Sequence, residues 1–178
     1  MKEFNCKWLP NIIELTDYNG NWDEYYSALY DIFLNDFITT KPKFKNKIVQ
    51  TRKEPRFNQY EHGFIHLTTV SNPDPKDMND RLPDIRRCER ISWNRKLIEN
   101  HLCNEKVCVC KKIYYYEQKW KNTYRIHLVF PNARYKVILE KRPNYYLLIT
   151  GYYMEYDYKI KKEIKKTEEF KEQKTPID

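Results

Sequence analysis

The second half of this chain contains four segments that are dense in residues favouring β-strands. These segments are Ile113–Trp120, Tyr124–Phe130, Tyr135–Lys141 and Tyr145–Tyr156. Three residues separate the first two, which is the pattern of a β-hairpin. Pro131-Asn132-Ala133 and Pro143-Asn144 supply the next two turns. Because these connections are short, consecutive strands are expected to lie side by side and antiparallel. The sequence therefore predicts a four-stranded antiparallel meander over residues 102–156.

The first half predicts helices with one or two strands between them. Asn21 followed by Glu24 resembles a capping box, and the next aromatic residues recur at helical spacing. A helix is therefore expected over 21–38, with its aromatic face in the core. Two short segments rich in β-formers, Lys47–Arg52 and Phe64–Val70, are expected to be strands.

Two further helices follow from capping residues and charge. Ser71–Asn79 contains two prolines and is expected to be a loop. Asp80 is then a suitable N-cap for a helix that has Pro83 in its first turn, where proline is tolerated. A charged helix is expected from Asp157 to about Gln173, stabilised by resting on the sheet.

This order of elements predicts an α+β protein, because helices come first and the antiparallel sheet second. In detail, N-terminal helices pack on a C-terminal four-stranded antiparallel sheet meander, which a charged C-terminal helix follows. The length suits a single domain, 1–178. Within it, residues 1–101 are mainly helical, 102–156 form the sheet, and 157–178 form the last helix and tail.

Composition narrows the function classes. The chain has 33 Lys and Arg against 25 Asp and Glu, a net charge of +8, which favours RNA, DNA or anionic lipid as partner. A nucleic acid, first of all RNA, is the expected partner. Codon bias in an A/T-rich genome is the alternative explanation. With three glycines, the chain has neither a P-loop nor a dinucleotide fingerprint. No apolar run is long enough for a membrane span, so no membrane association and a cytoplasmic location are expected.

Residues 81–99 form the most informative block, with six cations, three anions and one Trp in nineteen residues. On a helix, Arg86, Arg87 and Arg90 would lie on neighbouring turns. Guanidinium is planar, always charged and matched to phosphate, so the block predicts an anion-facing helix. The alternative is that Asp84 and Glu89 neutralise these arginines in internal ion pairs.

Proton transfer requires a group that titrates near neutral pH, and His66 is the first candidate. The alternative is a core histidine bonded to backbone; His62 is a lesser candidate of the same kind. Thr150 and Tyr152 share one face of their strand, and Tyr152 could bond a phosphate or simply be core. Arg125 and Trp93 are candidates for phosphate contact and base stacking, with packing as the alternative for Trp93.

Metal and cysteine chemistry are weaker alternatives. The ligand-like series is His101, Cys103, Cys108 and Cys110, which lacks the paired spacing typical of zinc sites. A divalent-metal nuclease would use the aspartates Asp74, Asp77, Asp80 and Asp84. Cys88 lies between arginines, where a thiol pKa can fall. No metal and no cofactor are predicted.

Two resemblances add to these patterns. Five segments resemble parts of a family of small bacterial and prophage proteins of unknown function. They are Phe64–Leu67, Arg81–Ile91, Arg125–Leu128, Tyr135–Leu139 and Tyr146–Tyr153. More distantly, helices before a four-stranded antiparallel sheet resemble the barnase, EndoU, colicin D and RelE-like fold of metal-independent ribonuclease toxins. Several such toxins have a last strand reading Thr-Ala-Tyr, where this chain has Thr150-Gly151-Tyr152.

Together these observations predict a metal-independent ribonuclease-like toxin or prophage defence protein. His66, Arg87, Arg90 and Tyr152 would be catalytic. Arg86, Arg125, Thr150 and Trp93 would bind substrate. The alternative is a non-catalytic regulatory module that binds nucleic acid or protein. An antitoxin or regulatory protein is a further candidate partner.

Overall fold

Eight strands and five α-helices make up the regular structure of the described residues. The computed structural model describes residues 6–74, 80–103 and 113–173. The strands are β1 (Lys43–Phe44), β2 (Lys47–Thr51), β3 (Thr69–Ser71), β4 (Arg81–Pro83), β5 (Tyr114–Trp120), β6 (Thr123–Phe130), β7 (Tyr135–Lys141) and β8 (Tyr146–Tyr153). The helices are α1 (Trp22–Phe33), α2 (His62–Thr68), α3 (Ile85–Cys88), α4 (Trp93–Glu99) and α5 (Asp157–Glu172). A 3-10 turn, Leu15–Tyr18, precedes α1, and a π-helical segment, Leu34–Thr39, extends it.

The main sheet has six strands and mixed direction, in the order β1-β2-β8-β7-β6-β5. Strands β5 to β8 form the expected antiparallel meander. However, β2 adds to β8 in parallel, with Val49 beside Tyr146 and Thr51 beside Leu148. The α+β class is therefore right, but the four-stranded antiparallel sheet is wrong. The sequence pattern of β2 predicts a strand but does not show that it pairs with β8. Pairing between strands so far apart in the sequence is decided by tertiary packing.

The strand expected over Phe64–Val70 is wrong, because most of this segment is helix α2. Phe64 is completely buried and its ring packs against those of Tyr26, Tyr30 and Phe33 from α1. A short apolar run does not distinguish a buried strand from a buried helix. Here packing against the aromatic face of α1 stabilises the helix, and only Thr69–Ser71 forms a strand.

The arginine-rich block is divided rather than one helix. Arg81–Pro83 pairs with β3 as strand β4, so the helix expected from Asp80 does not form there. Asp84 provides the N-cap instead, with its side chain accepting from the backbone N–H groups of Arg86 and Arg87. The chain then turns before α4. The arginines of the block consequently lie on different short elements, Arg81 on β4 and both Arg86 and Arg87 on α3.

The core lies between α1 and one face of the sheet. The expected helix begins as predicted, since the Asn21 side chain accepts from the backbone of Asp23 and Glu24. Its Leu29 and Phe33 are buried in one cluster with residues of β6 and β7.

Helix α5 confirms the charged helix expected at Asp157 and packs on the opposite sheet face, where Ile160 joins Tyr116, Val129 and Met154. Alternate strand residues face opposite ways, which separates this outer cluster from the main core. Within the described residues, no helix is both long enough and apolar enough to cross a membrane.

Candidate functional site

The side chain of Arg87 joins helix α2 to strand β8. Its Nη1 donates hydrogen bonds of 2.9 Å to the carbonyl oxygen of His66 and of 2.9 Å to Oγ1 of Thr150. Its Nε lies 3.6 Å from the Asp84 carboxylate. Its guanidinium carbon lies 5.6 Å from the centre of the Tyr152 ring. The side chains of Arg87, Thr150 and Tyr152, all proposed for the site from sequence, therefore meet here beside the backbone of His66.

Local structure explains how these groups are held. The Asp84 carboxylate caps α3 and accepts from the backbone of Arg87 at 3.2 Å, which fixes the helix start that carries the guanidinium. Thr150 and Tyr152 face away from the main core, on the α5 side of β8. Gly151 between them faces Asn94 of α4, where an added Cβ would lie 1.7 Å from the Asn94 Oδ1. Glycine thus permits close contact between α4 and the strand.

A pair of histidines lies beside this junction. His62 and His66 are one turn apart on α2, and their imidazole rings stack with centroids 4.1 Å apart. Both rings are partly exposed, whereas Gly63, Phe64 and Ile65 between them are buried. The pair therefore presents titratable groups on the one open side of a core helix.

The surroundings of the pair disfavour protonation. Burial lowers the pKa of His66 to about 4, helped by the positive charge of Arg81, by competition with the neighbouring His62 for a proton, and by the charges of Arg52 and Arg87. Burial also lowers the pKa of His62, again with neighbouring arginines. Both effects act against the charged form of an imidazole. At neutral pH the two rings are therefore uncharged and lie in a positive field, which an oxyanion would neutralise.

Arg81 supplies much of that field and was not among the sequence candidates. Its Nε donates to Oγ1 of Thr69 at 2.7 Å, and its Nη2 donates to the Thr69 carbonyl at 3.1 Å. The pKa of Arg81 is lowered by burial and by the charge of Arg87. Among the described side chains, no carboxylate forms an ion pair with Arg81. The pairing of β3 with β4, invisible in the sequence, brings it next to α2.

We call His62, His66, Arg81, Arg87 and Thr150 the His66 cluster. A phosphate placed here would meet a guanidinium, a hydroxyl and neutral imidazoles that can accept a proton. Its negative charge would also raise the pKa values of both histidines. The arrangement is suited to oxyanion binding coupled to proton transfer.

Arg86 and Arg90 lie at a different place, beside a shallow cavity of about 450 Å³ that Tyr153 also lines. Arg86 is exposed and pairs with Glu155 at 2.9 Å. Arg90 pairs with Glu89 at 2.7 Å and packs over the Tyr153 ring at 4.8 Å. Arg90 thus has the Glu89 partner of the internal ion-pair alternative, whereas the partner of Arg86 is Glu155, outside the block.

Arg125 and Trp93 are also separate from the His66 cluster. Trp93 is buried and its Nε1 donates to the Pro10 carbonyl at 2.9 Å, which is a packing role. Arg125 lies 3.5 Å from the Glu140 carboxylate and stacks 3.8 Å above the ring of Trp120. Neither residue contacts His66 or Arg87.

The described residues offer little support for a metal site or a reactive thiol. No group of three or more His, Cys, Asp or Glu side chains is placed to hold a metal ion among them. Cys108, Cys110 and Asp77 lie outside the described residues. Burial raises the pKa of the Cys88 thiol to about 12, which is opposite to the shift a nucleophile needs. Nδ1 of His101 contacts the Ile98 carbonyl at 2.8 Å instead.

Comparisons with known proteins add no family assignment. No protein-family model, no curated protein and no solved structure matches this chain. The function is therefore argued from the chemistry of the His66 cluster.

Proposed function

We propose that this protein is a metal-independent ribonuclease that binds and cleaves RNA at the His66 cluster. The observation that carries the proposal is the stacked, uncharged pair of His62 and His66 beside Arg81 and Arg87. Proton acceptors and fixed cations at one open place are the parts that this chemistry needs.

In the proposed reaction, an RNA phosphate binds against Arg81 and the Thr150 hydroxyl. Neutral His66 accepts the proton of the neighbouring 2′-hydroxyl, and the 2′-oxygen attacks phosphorus to form a cyclic phosphate. The bond to the 5′-oxygen breaks, and this oxygen takes a proton from His62, whose pKa the bound phosphate raises. Arg81 stabilises the added negative charge.

Arg87 and Tyr152 have supporting roles in this proposal. Arg87 fixes the His66 backbone against Thr150, with its Nη1 donating to both, so it is a positioning residue. Tyr152 lies beside the Arg87 guanidinium and would hold the ribose or base next to the reacting phosphate.

The test is cleavage of total RNA by the purified protein in EDTA. We expect cleavage in EDTA and its loss in His66→Asn and Arg81→Gln. His101→Asn and Arg142→Gln are matched controls, since His101 packs against Phe44 and Arg142 pairs with Glu140. Intact RNA both in EDTA and with added magnesium would reject a ribonuclease. Cleavage retained in the His66 variant would reject this site.

A non-catalytic RNA-binding module is the second candidate, favoured by the internal ion pairs of Arg86 and Arg90. These ion pairs leave fewer free cations to stabilise a reacting RNA, although they do not prevent RNA from binding without cleavage. Salt-sensitive RNA affinity without turnover would support this function.

We further propose a cytoplasmic toxin or prophage defence protein, held in check by an antitoxin or regulatory partner. Growth arrest on expression of the wild type, and not of His66→Asn, is the expected result. Arrest by both would point to binding rather than cleavage.

A further inference from the structure

The outer face of the sheet, beneath α5, carries polar groups in a position where core residues are usually apolar. Tyr116 on β5, His127 on β6 and Lys136 on β7 lie on this face, and each is at most 6% exposed. A charged or hydrogen-bonding group buried in this way costs free energy unless it is well paired. Such a set suggests a role other than packing.

Glu163 of α5 is the acceptor that these groups share. Its Oε2 accepts from Lys136 Nζ at 2.6 Å and from the Tyr116 hydroxyl at 2.5 Å. Lys136 Nζ also lies 3.3 Å from the Tyr116 oxygen, and Lys166 adds a second cation 3.8 Å from Glu163. One carboxylate thus occupies a pocket of converging donors, which is the environment of a bound oxyanion.

His127 belongs to the same set but does not bond Glu163. Its ring stacks on Tyr116 with centroids 4.4 Å apart and planes 4° apart. The residue is only 6% exposed, yet neither ring nitrogen has a hydrogen-bond partner among the residues that the structure describes. Buried polar atoms without partners are uncommon in native proteins. A ligand with more oxygens than one carboxylate would give these nitrogens a partner.

This set is continuous with the His66 cluster. Lys136 lies directly across from Tyr152 in the β7–β8 pairing, and Tyr152 contacts the Arg87 guanidinium. Tyr152 therefore lies between the two groups of cations. A chain with regularly spaced phosphates could run from one to the other over the sheet.

Helix α5 covers the second set with a narrow apolar contact, in which Ile160 is buried and Ile164 and Phe170 are partly buried against the outer cluster. Only Ile160, Glu163 and Thr167 of its sixteen residues are buried, and most of the rest are Lys or Glu. Few buried apolar contacts are typical of elements that open locally at low free energy. The Glu163 contacts therefore add to this narrow apolar contact in fixing the helix.

We propose that Tyr116, His127 and Lys136 form a second phosphate-binding site, which Glu163 occupies as an internal substitute and which opens when α5 leaves the sheet. Helix α5 is then an autoinhibitory element, and RNA bound at the His66 cluster displaces it by placing another phosphate against Lys136. The RNA part of this inference rests on the proposed function, whereas phosphate binding at Lys136 does not require cleavage.

The test is binding of inorganic phosphate to the full-length chain, followed through the ring resonances of His127. Glu163→Gln keeps the size of the side chain and removes its charge. We expect its Kd for phosphate to be at least about tenfold lower than that of the wild type, because apparent affinity scales with the fraction of open molecules. Lys136→Gln in the same variant should abolish the gain. Glu168→Gln, an exposed change on the same helix, should bind like the wild type.

Two results would overturn the proposal. One is a folded Glu163→Gln protein that binds phosphate no more tightly than the wild type. The other is a gain that persists without Lys136. If Glu163→Gln does not fold, amide exchange in the wild type decides: phosphate should speed exchange in α5 relative to β6 and β7, compared with chloride at equal ionic strength, and unchanged or slower exchange would reject the proposal. Failure of RNA cleavage would leave this phosphate readout unaffected.

Discussion

Gly151 and Asn94 approach so closely that a Cβ added at Gly151 would lie 1.7 Å from the Asn94 Oδ1. Asn94 is fully buried and cannot easily move, because its Nδ2 donates to the Ile91 carbonyl and its Oδ1 accepts from the Tyr135 hydroxyl. We expect Gly151→Ala, which gives the sequence Thr-Ala-Tyr, to destabilise the protein by about 1–3 kcal/mol. Urea denaturation measures this cost.

The double variant Gly151→Ala with Asn94→Ala checks that this contact is the cause. Removing the Asn94 amide should make the Gly151 change cost less, giving a non-additive cycle. Additive effects would place the cost elsewhere.

Arg87→Lys tests the link between α2 and β8. Lysine has no planar fork, so one ammonium cannot reproduce the bonds to the His66 carbonyl and to Thr150 together with the contact to Asp84. We expect a loss of about 1.5–3 kcal/mol in the free energy of unfolding, the range for hydrogen bonds to charged groups, with reduced RNA cleavage. Arg86→Lys is the control: the Arg86 side chain is exposed, so this change should leave the free energy of unfolding almost unchanged. Equal effects of the two changes would contradict the linking role.

Acid should destabilise the protein through its buried histidines. Burial lowers the pKa of His66 from 6.5 to about 4, and that of His127 from 6.5 to about 3. Below pH 6.5 the unfolded chain therefore binds more protons than the folded one, so stability is fully present above pH 6.5 and is lost as pH falls toward these values. His127→Phe keeps the ring stack on Tyr116 and removes both nitrogens.

We expect His127→Phe to be more stable than the wild type at pH 7, because unpartnered buried nitrogens are removed. It should also lose less stability between pH 6.5 and pH 4. Denaturant midpoints across this interval measure both effects. An unchanged acid dependence would show that His127 does not titrate as its surroundings require.

The pH profile of RNA cleavage should report the depressed pKa of His66. The acid limb of kcat/KM reflects the proton acceptor of the free enzyme, so on the acid side activity should fall as pH approaches about 4. Arg81→Lys retains the charge and should keep the limb there. Arg81→Gln removes a cation that lowers the pKa of His66 and should move the limb toward 6.5 in whatever activity remains. A limb near 6.5 in the wild type would contradict His66 as the proton acceptor.

Local patterns predicted much of the fold. The hairpin of β5 and β6 and the following strands were readable because their turns are short and their β-formers continuous. The helix start at Asn21 and the charged helix from Asp157 also follow from local signals. For Phe64–Val70 the sequence predicts a strand where the structure has a helix, since a short buried run has no period that separates helix from strand.

The sequence by itself determined which groups are available: two histidines four residues apart, the arginine-rich block, and Thr150 and Tyr152 on one face of a strand. Only the tertiary structure decided which of them meet. Asp84 and the β3–β4 pair direct Arg87 and Arg81 toward His66, whereas Arg86 and Arg90 are directed toward Glu155 and Glu89. The physical reason is that strand pairing and ion pairing join residues distant in the chain, and their free energies depend on geometry that no local pattern encodes.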